Sequence, residues 1–281
     1  MIVINTILEL NSWYNHIKLN NVSLGFIPTM GALHEGHISL VEKSVSENDF
    51  TIVSIFVNPT QFNNTNDFVN YPITIENDTL LLKQSKCDVL FLPTTQEIYS
   101  NNINSTNYKF SGIEKVMEGK HRPGHFDGVA TIVSKLFNFV KPDIAYFGEK
   151  DFQQLLIIKE LVKLERIPLK VVGMPIYREE NGLAMSSRNT RLSSSQREES
   201  SLIFKTLQTV KSMFLDSVPI RDINTYVKNI FINTNLKLEY FEVRENNSLK
   251  FAKKISENKK HRAFISVFVG EVRLIDNIAL F

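Results

Sequence analysis

From Val22 to Met174 the chain alternates between short apolar runs and longer amphipathic stretches. The apolar runs Val22–Ile27, Phe50–Val57, Asp88–Leu92, Asp143–Phe147 and Leu169–Met174 have strand length and read as buried strands. Between them, Ile38–Glu47, Ile75–Ser85, Val129–Phe139 and Phe152–Leu164 repeat their apolar residues at helical spacing. A strand–helix–strand order of this kind predicts a parallel sheet covered by helices. Ligands of such sheets bind beyond the carboxyl ends of the strands, near a topological switch point.

The pattern changes after Pro175. Arg191–Arg197 is polar, Glu198–Leu215 reads as an amphipathic helix, and Pro219–Thr234 as another. Two alternating segments follow, Lys237–Val243 and Ala263–Val269, and then Val272–Ile275. Helices followed by antiparallel-type strands predict a small α+β domain. The expected organisation is an α/β domain over residues 1–175 and an α+β domain over 176–281, with a hinge near 174–181. Asn101–Asn107 reads as a polar loop.

Length and charge narrow the picture. A chain of 281 residues can bury one large or two modest cores. Its 32 Lys and Arg against 30 Asp and Glu leave a net charge of +2, so it carries no electrostatic footprint for nucleic acid. The single cysteine, Cys87, excludes an internal disulfide framework and a Cys-rich zinc site; beside the apolar run Val89–Leu92 it reads as a buried thiol. No basic leader precedes a long apolar run, and no apolar run reaches membrane-spanning length. The expectation is a cytoplasmic chain with no membrane partner.

Polar motifs follow the predicted strand ends. Pro28-Thr29-Met30-Gly31-Ala32-Leu33-His34-Glu35-Gly36-His37 places two histidines and a glycine-rich turn at a helix N-terminus. Unpaired N–H groups and the positive dipole end there suit a phosphate. Gly31 and Gly36 have Walker A spacing, but His37-Ile38 stands where Lys-Ser/Thr is required. A zinc-protease motif needs His-Glu-x-x-His, and His34-Glu35-Gly36-His37 is one residue short; the two histidines could still share a metal from one helical turn. Asn58-Pro59-Thr60-Gln61-Phe62 offers amides for hydroxyl or carboxylate groups, or is a plain polar turn. In Gly148-Glu149-Lys150-Asp151-Phe152-Gln153-Gln154, Gly148 permits close backbone approach and Lys150 can neutralise phosphate; Asp151 could equally cap a helix. Met185-Ser186-Ser187-Arg188-Asn189 combines hydroxyls with a guanidinium, a phosphate clamp or a solvated loop. His121-Arg122-Pro123-Gly124-His125-Phe126-Asp127-Gly128 reads as a site loop or a capped turn.

Taken in order, these motifs closely resemble those of the pantothenate synthetase (pantoate–β-alanine ligase) family, in the nucleotidyltransferase superfamily with a HIGH-type signature. They span residues 22–192, and Val272-Arg273-Leu274-Ile275-Asp276-Asn277 is similar to the family's small domain. The resemblance implies a Rossmann-like parallel-sheet domain followed by a small α+β lid. It implies that ATP and pantoate give pantoyl adenylate and pyrophosphate with Mg2+, and that β-alanine then displaces AMP to give pantothenate. It also implies a homodimer.

The same resemblance implies roles. His34, His37 and Lys150 would be catalytic, with His37 as proton donor or leaving-group stabiliser. ATP would meet Met30, Gly31, Ala32, Leu33, His34, Glu35, Gly36, His37, Gly148, Glu149, Lys150, Asp151, Tyr177, Met185, Ser186, Ser187 and Arg188. Pantoate would meet Gln61 and Gln154, with Met30, Asn58 and Tyr71 nearby; Gln61 would also lie near β-alanine. Ile73 stands where the family commonly has Arg, and the acidic stretch Glu76-Asn77-Asp78 leaves Asp78 as the metal candidate. Tyr177 replaces a common small Val in the ATP pocket.

The residue types suit that chemistry. Pantoate's carboxylate, with a pKa of about 4 if it behaves like Asp, is already ionised at neutral pH. The first step then needs in-line positioning and stabilisation of departing pyrophosphate, not a general base. Two alternatives stay open at this level: another nucleotidyltransferase with a phosphate acceptor, and a nucleotide-binding regulator. Glutamines in place of a basic acceptor cluster weigh against the first. The joint presence of His34, His37, Lys150 and Arg188 weighs against the second.

Overall fold

In the computed structural model, residues 1–18, 22–63, 65–100, 102–252 and 259–281 are described. The chain forms two compact units. One comprises Met1–Glu149 with Gln153–Pro175; the other comprises Lys150–Phe152 with Ile176–Phe281.

The first unit is built on a parallel sheet of β1 (Ile2–Ile4), β2 (Leu24–Thr29), β3 (Phe50–Ile55), β4 (Val89–Phe91), β5 (Ile144–Gly148) and β6 (Lys170–Met174). Their order is β1-β4-β3-β2-β5-β6, every pairing parallel. β2 pairs with β3 on one side and β5 on the other, so the winding direction reverses at β2/β5. This is the switch point at which open parallel sheets bind ligands. Ile27, Val53 and Leu90 are buried in one apolar cluster with Leu40, Val41 and Leu82. Each such side chain contributes about 1.5–3 kcal/mol on burial. Gly25 is required where the helix Glu35–Glu47 crosses β2: a Cβ there would lie 2.0 Å from Ser44 Oγ.

The predicted strands and helices of this unit are all present, with ends shifted by a few residues; the helix expected from Val129 starts at His125 and runs to Val140. The apolar pattern does not reveal β1 or the helix Ile7–Lys18. β1 is only three residues long, with Ile2 and Val3 exposed. Among the helix's described side chains only Leu10 and Ile17 are buried, too narrow a stripe to register as periodicity. Its start carries a different signal. Glu9 N–H donates to Thr6 Oγ1 (3.2 Å), and the Glu9 carboxylate accepts from Asn5 and Thr6 N–H (3.0 and 3.1 Å), so Thr6-x-x-Glu9 acts as a capping box. Within the expected Asn101–Asn107 loop, Asn101 lies outside the described residues; 102–107 form no helix or strand.

The second unit packs the helices Ser201–Leu215 and Ile220–Ile232 with an antiparallel sheet of β7 (Leu236–Glu245), β8 (His261–Val269) and β9 (Val272–Ala279), in the order β7-β8-β9. Ile203, Leu207, Val210 and Phe214 on one helix, Ile223 and Val227 on the other, and Ala263, Ile265 and Val267 on β8 share its core. Gly270, at φ +56°, takes the left-handed conformation that the tight β8–β9 turn needs. The polar Arg191–Arg197 stretch contains the start of a short helix, Ser194–Glu199, behind a Ser193/Gln196 capping box.

Candidate active site

β2 ends at Thr29, and the chain turns sharply before the next helix. Gly31 has φ +82° and Ala32 φ +49°. A Cβ on Gly31 would stand 2.9 Å from Ile55 Cγ2, so no other residue fits that turn without a shift. The Thr29 hydroxyl ties the turn to the sheet, donating to the Ser54 carbonyl (2.9 Å) and accepting from Gly31 N–H (3.2 Å). The next two amides are held by one carboxylate. Asp78 Oδ2 accepts from Ala32 N–H (2.9 Å) and Oδ1 from Leu33 N–H (2.8 Å), with a further bond from Thr74 Oγ1 (2.9 Å). Asp78 is 0% exposed.

This geometry gives Asp78, the metal candidate of the sequence, a structural partner set of its own. Both Asp78 oxygens are engaged by donors and the group has no exposed surface, so its carboxylate fixes the turn. Among the described residues, no group of three or more His, Cys, Asp and Glu is arranged to hold a metal ion.

His34 then caps the helix Glu35–Glu47. Its Nδ1 accepts from Gly36 N–H (3.2 Å), while His37 Nδ1 accepts from His34 N–H (3.4 Å). The ring centroids lie 4.1 Å apart. Because Nδ1 is the acceptor in each bond, the proton of each neutral imidazole sits on Nε2. The two rings therefore present N–H donors beside a helix N-terminus, where the dipole favours negative charge.

Next to β2, the end of β3 leads into the short turn Pro59–Gln61. Gln61 Nε2 donates to Met30 Sδ (2.8 Å), joining the turn to the β2 loop. Asn58 is 0% exposed and is consumed by the scaffold: Nδ2 donates to the Gly128 carbonyl (3.1 Å), and Oδ1 accepts from Tyr99 Oη (2.7 Å). Burial pushes the Tyr99 phenol above its ordinary range, keeping it a neutral donor. Asn58 thus shapes the turn that carries Gln61. Tyr71 packs edge-on against Phe62 (5.8 Å), one residue beyond Gln61.

The His121–Gly128 motif supports this turn. His125 Nδ1 bonds the Gln61 carbonyl (2.8 Å), and a Cβ on Gly128 would come 2.3 Å from Thr60 O. Asp127 Oδ1 accepts from Tyr108 N–H (2.9 Å). β5 ends at Gly148, and Glu149–Asp151 form one tight turn before the helix Phe152–Leu164. Of the neighbouring glutamines, Gln153 is buried in structural bonds to Glu118 N–H, Ile113 O and Val116 O (3.1, 2.8 and 2.8 Å), whereas Gln154 is partly exposed.

The other expected residues belong to the second unit. Lys150 Nζ lies 3.7 Å from Asp151 Oδ2, and its side chain is partly exposed. Tyr177 is exposed; its carbonyl accepts from Met185 N–H (3.0 Å). Ser186 Oγ accepts from Arg188 N–H (3.3 Å), capping the turn Ser187–Arg191, and Ser187 is buried. The loop is anchored by Asn189, whose Nδ2 donates to Glu179 Oε1 (2.7 Å) and the Ala184 carbonyl (3.1 Å).

In the first unit, then, Met30–His37 and Gln61 converge at the switch point, with Gly148 on the adjoining strand end; in the second, Lys150 and Met185–Arg188 supply cations and hydroxyls. The family model described as pantoate-beta-alanine ligase matches residues 2–279. A pantothenate synthetase from Flavobacterium psychrophilum is 46% identical over 282 residues, covering 100% of both chains. One from Bacteroides fragilis is 46% identical, covering 99% of this chain and 98% of the relative. Among solved structures, pantothenate synthetase from Thermus thermophilus has a TM-score of 0.92 at 34% identity, covering 100% of both chains. The pantoate-beta-alanine ligase of Francisella tularensis, complexed with beta-gamma ATP and beta-alanine, has a TM-score of 0.82 at 38% identity, covering 100% of this chain and 98% of that one. Matched from end to end by that model and these relatives, the chain belongs to the pantoate–β-alanine ligase family of enzymes.

Proposed function

We propose that this chain joins pantoate to β-alanine with consumption of ATP, through a pantoyl adenylate. The observation that carries the reading is the His34/His37 pair at the helix N-terminus, tied through Met30 to Gln61 on the neighbouring strand end. Anion-binding donors and an uncharged amide thus sit side by side. That suits a triphosphate and a hydroxy acid held for in-line attack.

In the first step a pantoate carboxylate oxygen attacks the α-phosphorus and the bond to the β-phosphate oxygen breaks. The carboxylate is already ionised, so the histidines do not activate it. His34 and His37 donate to phosphate oxygens as negative charge moves onto pyrophosphate, with Lys150, Ser186, Ser187 and Arg188 as further stabilisers. Gly31–Leu33, Glu35, Gly36, Gly148, Glu149, Asp151, Tyr177 and Met185 shape the nucleotide site. Gln61 and Gln154, with Met30 and Tyr71, hold pantoate without adding competing charge.

In the second step the β-alanine amine, near Gln61, attacks the acyl carbon; AMP leaves with the bonding electrons and the amine gives up its proton. The Ser186–Asn189 loop and the C-terminal unit serve to keep water from the anhydride. Mg2+ would enter with ATP as part of the nucleotide substrate and neutralise phosphate charge there. The working form is a cytoplasmic homodimer.

The test is pantoate-dependent ATP–pyrophosphate exchange, followed by AMP release on adding β-alanine. His37→Ala and Lys150→Ala should each slow adenylate formation about 10²-fold, the scale of a lost electrostatic stabiliser. Folded protein that gives no exchange refutes the reading; normal single-turnover rates in both variants refute the assigned roles.

A further inference from the structure

Within the C-terminal unit, the phosphate-binding candidates share one support. Asp276 and Asn277 are neighbours on β9, 4% and 2% exposed. Asp276 forms a two-pronged pair with Arg178: Nη1 to Oδ2 at 2.7 Å and Nη2 to Oδ1 at 3.0 Å. The same guanidinium donates to the Gly182 carbonyl (3.1 Å) and stacks on Phe204 (3.7 Å). Arg178 bridges Ala184 in an antiparallel pairing, and Tyr177 O bonds Met185 N–H, so fixing Arg178 fixes the stem from which Ser186–Arg188 projects.

Asn277 acts on the other candidate. Its Nδ2 donates to the Lys150 carbonyl (2.9 Å), while its Oδ1 accepts from Arg262 Nη1. The Arg262 guanidinium in turn covers the Phe152 ring at 3.8 Å. Lys150 is thus gripped at its own carbonyl and two residues on. One more bond closes the frame: Asp276 Oδ1 also accepts from Asn277 N–H (2.7 Å), which ties the two residues to each other.

We infer that Asp276–Asn277 is a positioning pair that sets Lys150 and the Ser186–Arg188 loop in one fixed frame, so that both cations are presented together to the triphosphate. This rests on the phosphate role proposed above for Lys150 and Arg188. Both members are buried and bonded to protein groups, so they act through the residues they hold. A charge-assisted, two-pronged pair and a buried amide fix geometry more tightly than exposed contacts could.

The test is a double-mutant cycle in pyrophosphate exchange. Asn277→Asp keeps size and the acceptor for Arg262 but removes the donor to the Lys150 carbonyl; Asn277→Ser is a second variant for the same bond. Each should lower kcat about tenfold, one hydrogen bond's worth, and raise KM for ATP while leaving KM for pantoate unchanged. In a Lys150→Ala background the same substitutions should change the rate less than about twofold, because they act through Lys150. Arg178→Lys, paired with Arg188→Ala, should behave alike for the other arm. A merely structural role would lower thermal stability yet give rate effects that multiply in full, or shift both KM values; either result overturns the inference. So does a wild-type rate in both Asn277 variants when Lys150→Ala is impaired. If Lys150→Ala itself exchanges normally, the phosphate role falls first and the pair's catalytic meaning with it.

Discussion

Replacing Asp78 separates its two possible roles. Its carboxylate accepts from Ala32 N–H, Leu33 N–H and Thr74 Oγ1 at 2.8–2.9 Å, with no solvent exposure. Asp78→Ala strands two backbone N–H groups in a buried turn. Each buried, unsatisfied donor costs about 1–3 kcal/mol. Relief from burying the carboxylate offsets part of that, and the net expectation is about 3 kcal/mol. At about 2–4 °C per kcal/mol for a unit of this size, the melting point should fall by about 10 °C. Asp78→Asn keeps one acceptor but turns an NH2 toward the other N–H, and should cost about 2 kcal/mol. Function should suffer beyond stability. The turn aims His34, and a displacement of about 1 Å costs about 10²-fold in a positioned reaction. The assays are urea unfolding and pyrophosphate exchange across a range of Mg2+ concentrations. The turn-holding role predicts loss of stability with an unchanged Mg2+ requirement. A variant with wild-type stability that needs about tenfold more Mg2+, the equivalent of about 1.4 kcal/mol in metal affinity, would refute the reasoning and favour Asp78 as a metal ligand.

Other outcomes follow from the same geometry. Gly128→Ala drives a methyl to within 2.3 Å of the Thr60 carbonyl and should raise KM for pantoate by displacing Gln61, read from steady-state kinetics; an unchanged KM counts against the Gln61 assignment. Burial lifts the Cys87 thiol from 9.0 to about 12. It should ignore thiol reagents until the protein unfolds, and rapid labelling of native protein would contradict its placement. Because the folded value is the higher one, its contribution is intact below pH 9 and is lost as pH climbs from 9 toward 12; the slope is at most about 1.4 kcal/mol per pH unit. Cys87→Ala should flatten that alkaline loss in unfolding titrations. Burial lowers the pKa of His261, packed between Phe214 and Phe281 with Glu245 and Lys259 as the nearby charges. Its contribution is therefore present above its ordinary value of 6.5 and lost as pH falls below it, and His261→Phe should remove that acid sensitivity in a melting-point series.

The sheet is legible in the sequence because buried parallel strands leave continuous apolar runs, and its helices because they carry a broad apolar face. The helix Ile7–Lys18 escapes, since periodicity weighs stripe width while its evidence lies in the Thr6/Glu9 capping box. The His34–His37 motif announces itself through glycine and histidine density. Asp78 is visible as a residue but not in its role. Backbone amides leave no trace in sequence, so an acid 45 residues from Leu33 cannot be recognised as its partner. Asn58 is similar: the sequence shows an amide near a site but not its bonds to Gly128 and Tyr99. Arg178 with Asp276 is further still, 98 residues apart and joined only by the fold.

The allocation of Lys150–Phe152 to the C-terminal unit, with Glu149 and Gln153 on either side belonging to the other, has a consequence for dissection. The backbone changes unit three times, at 149/150, 152/153 and 175/176, so no single cut separates the two units cleanly. A fragment ending at Pro175 would carry Lys150 and Phe152 without Asn277, Arg262 or Phe264; one starting at Ile176 would retain those three without Lys150 and Phe152. An enzyme reassembled from halves would have to regain, across a broken chain, a three-residue insertion that the intact polypeptide makes as it folds.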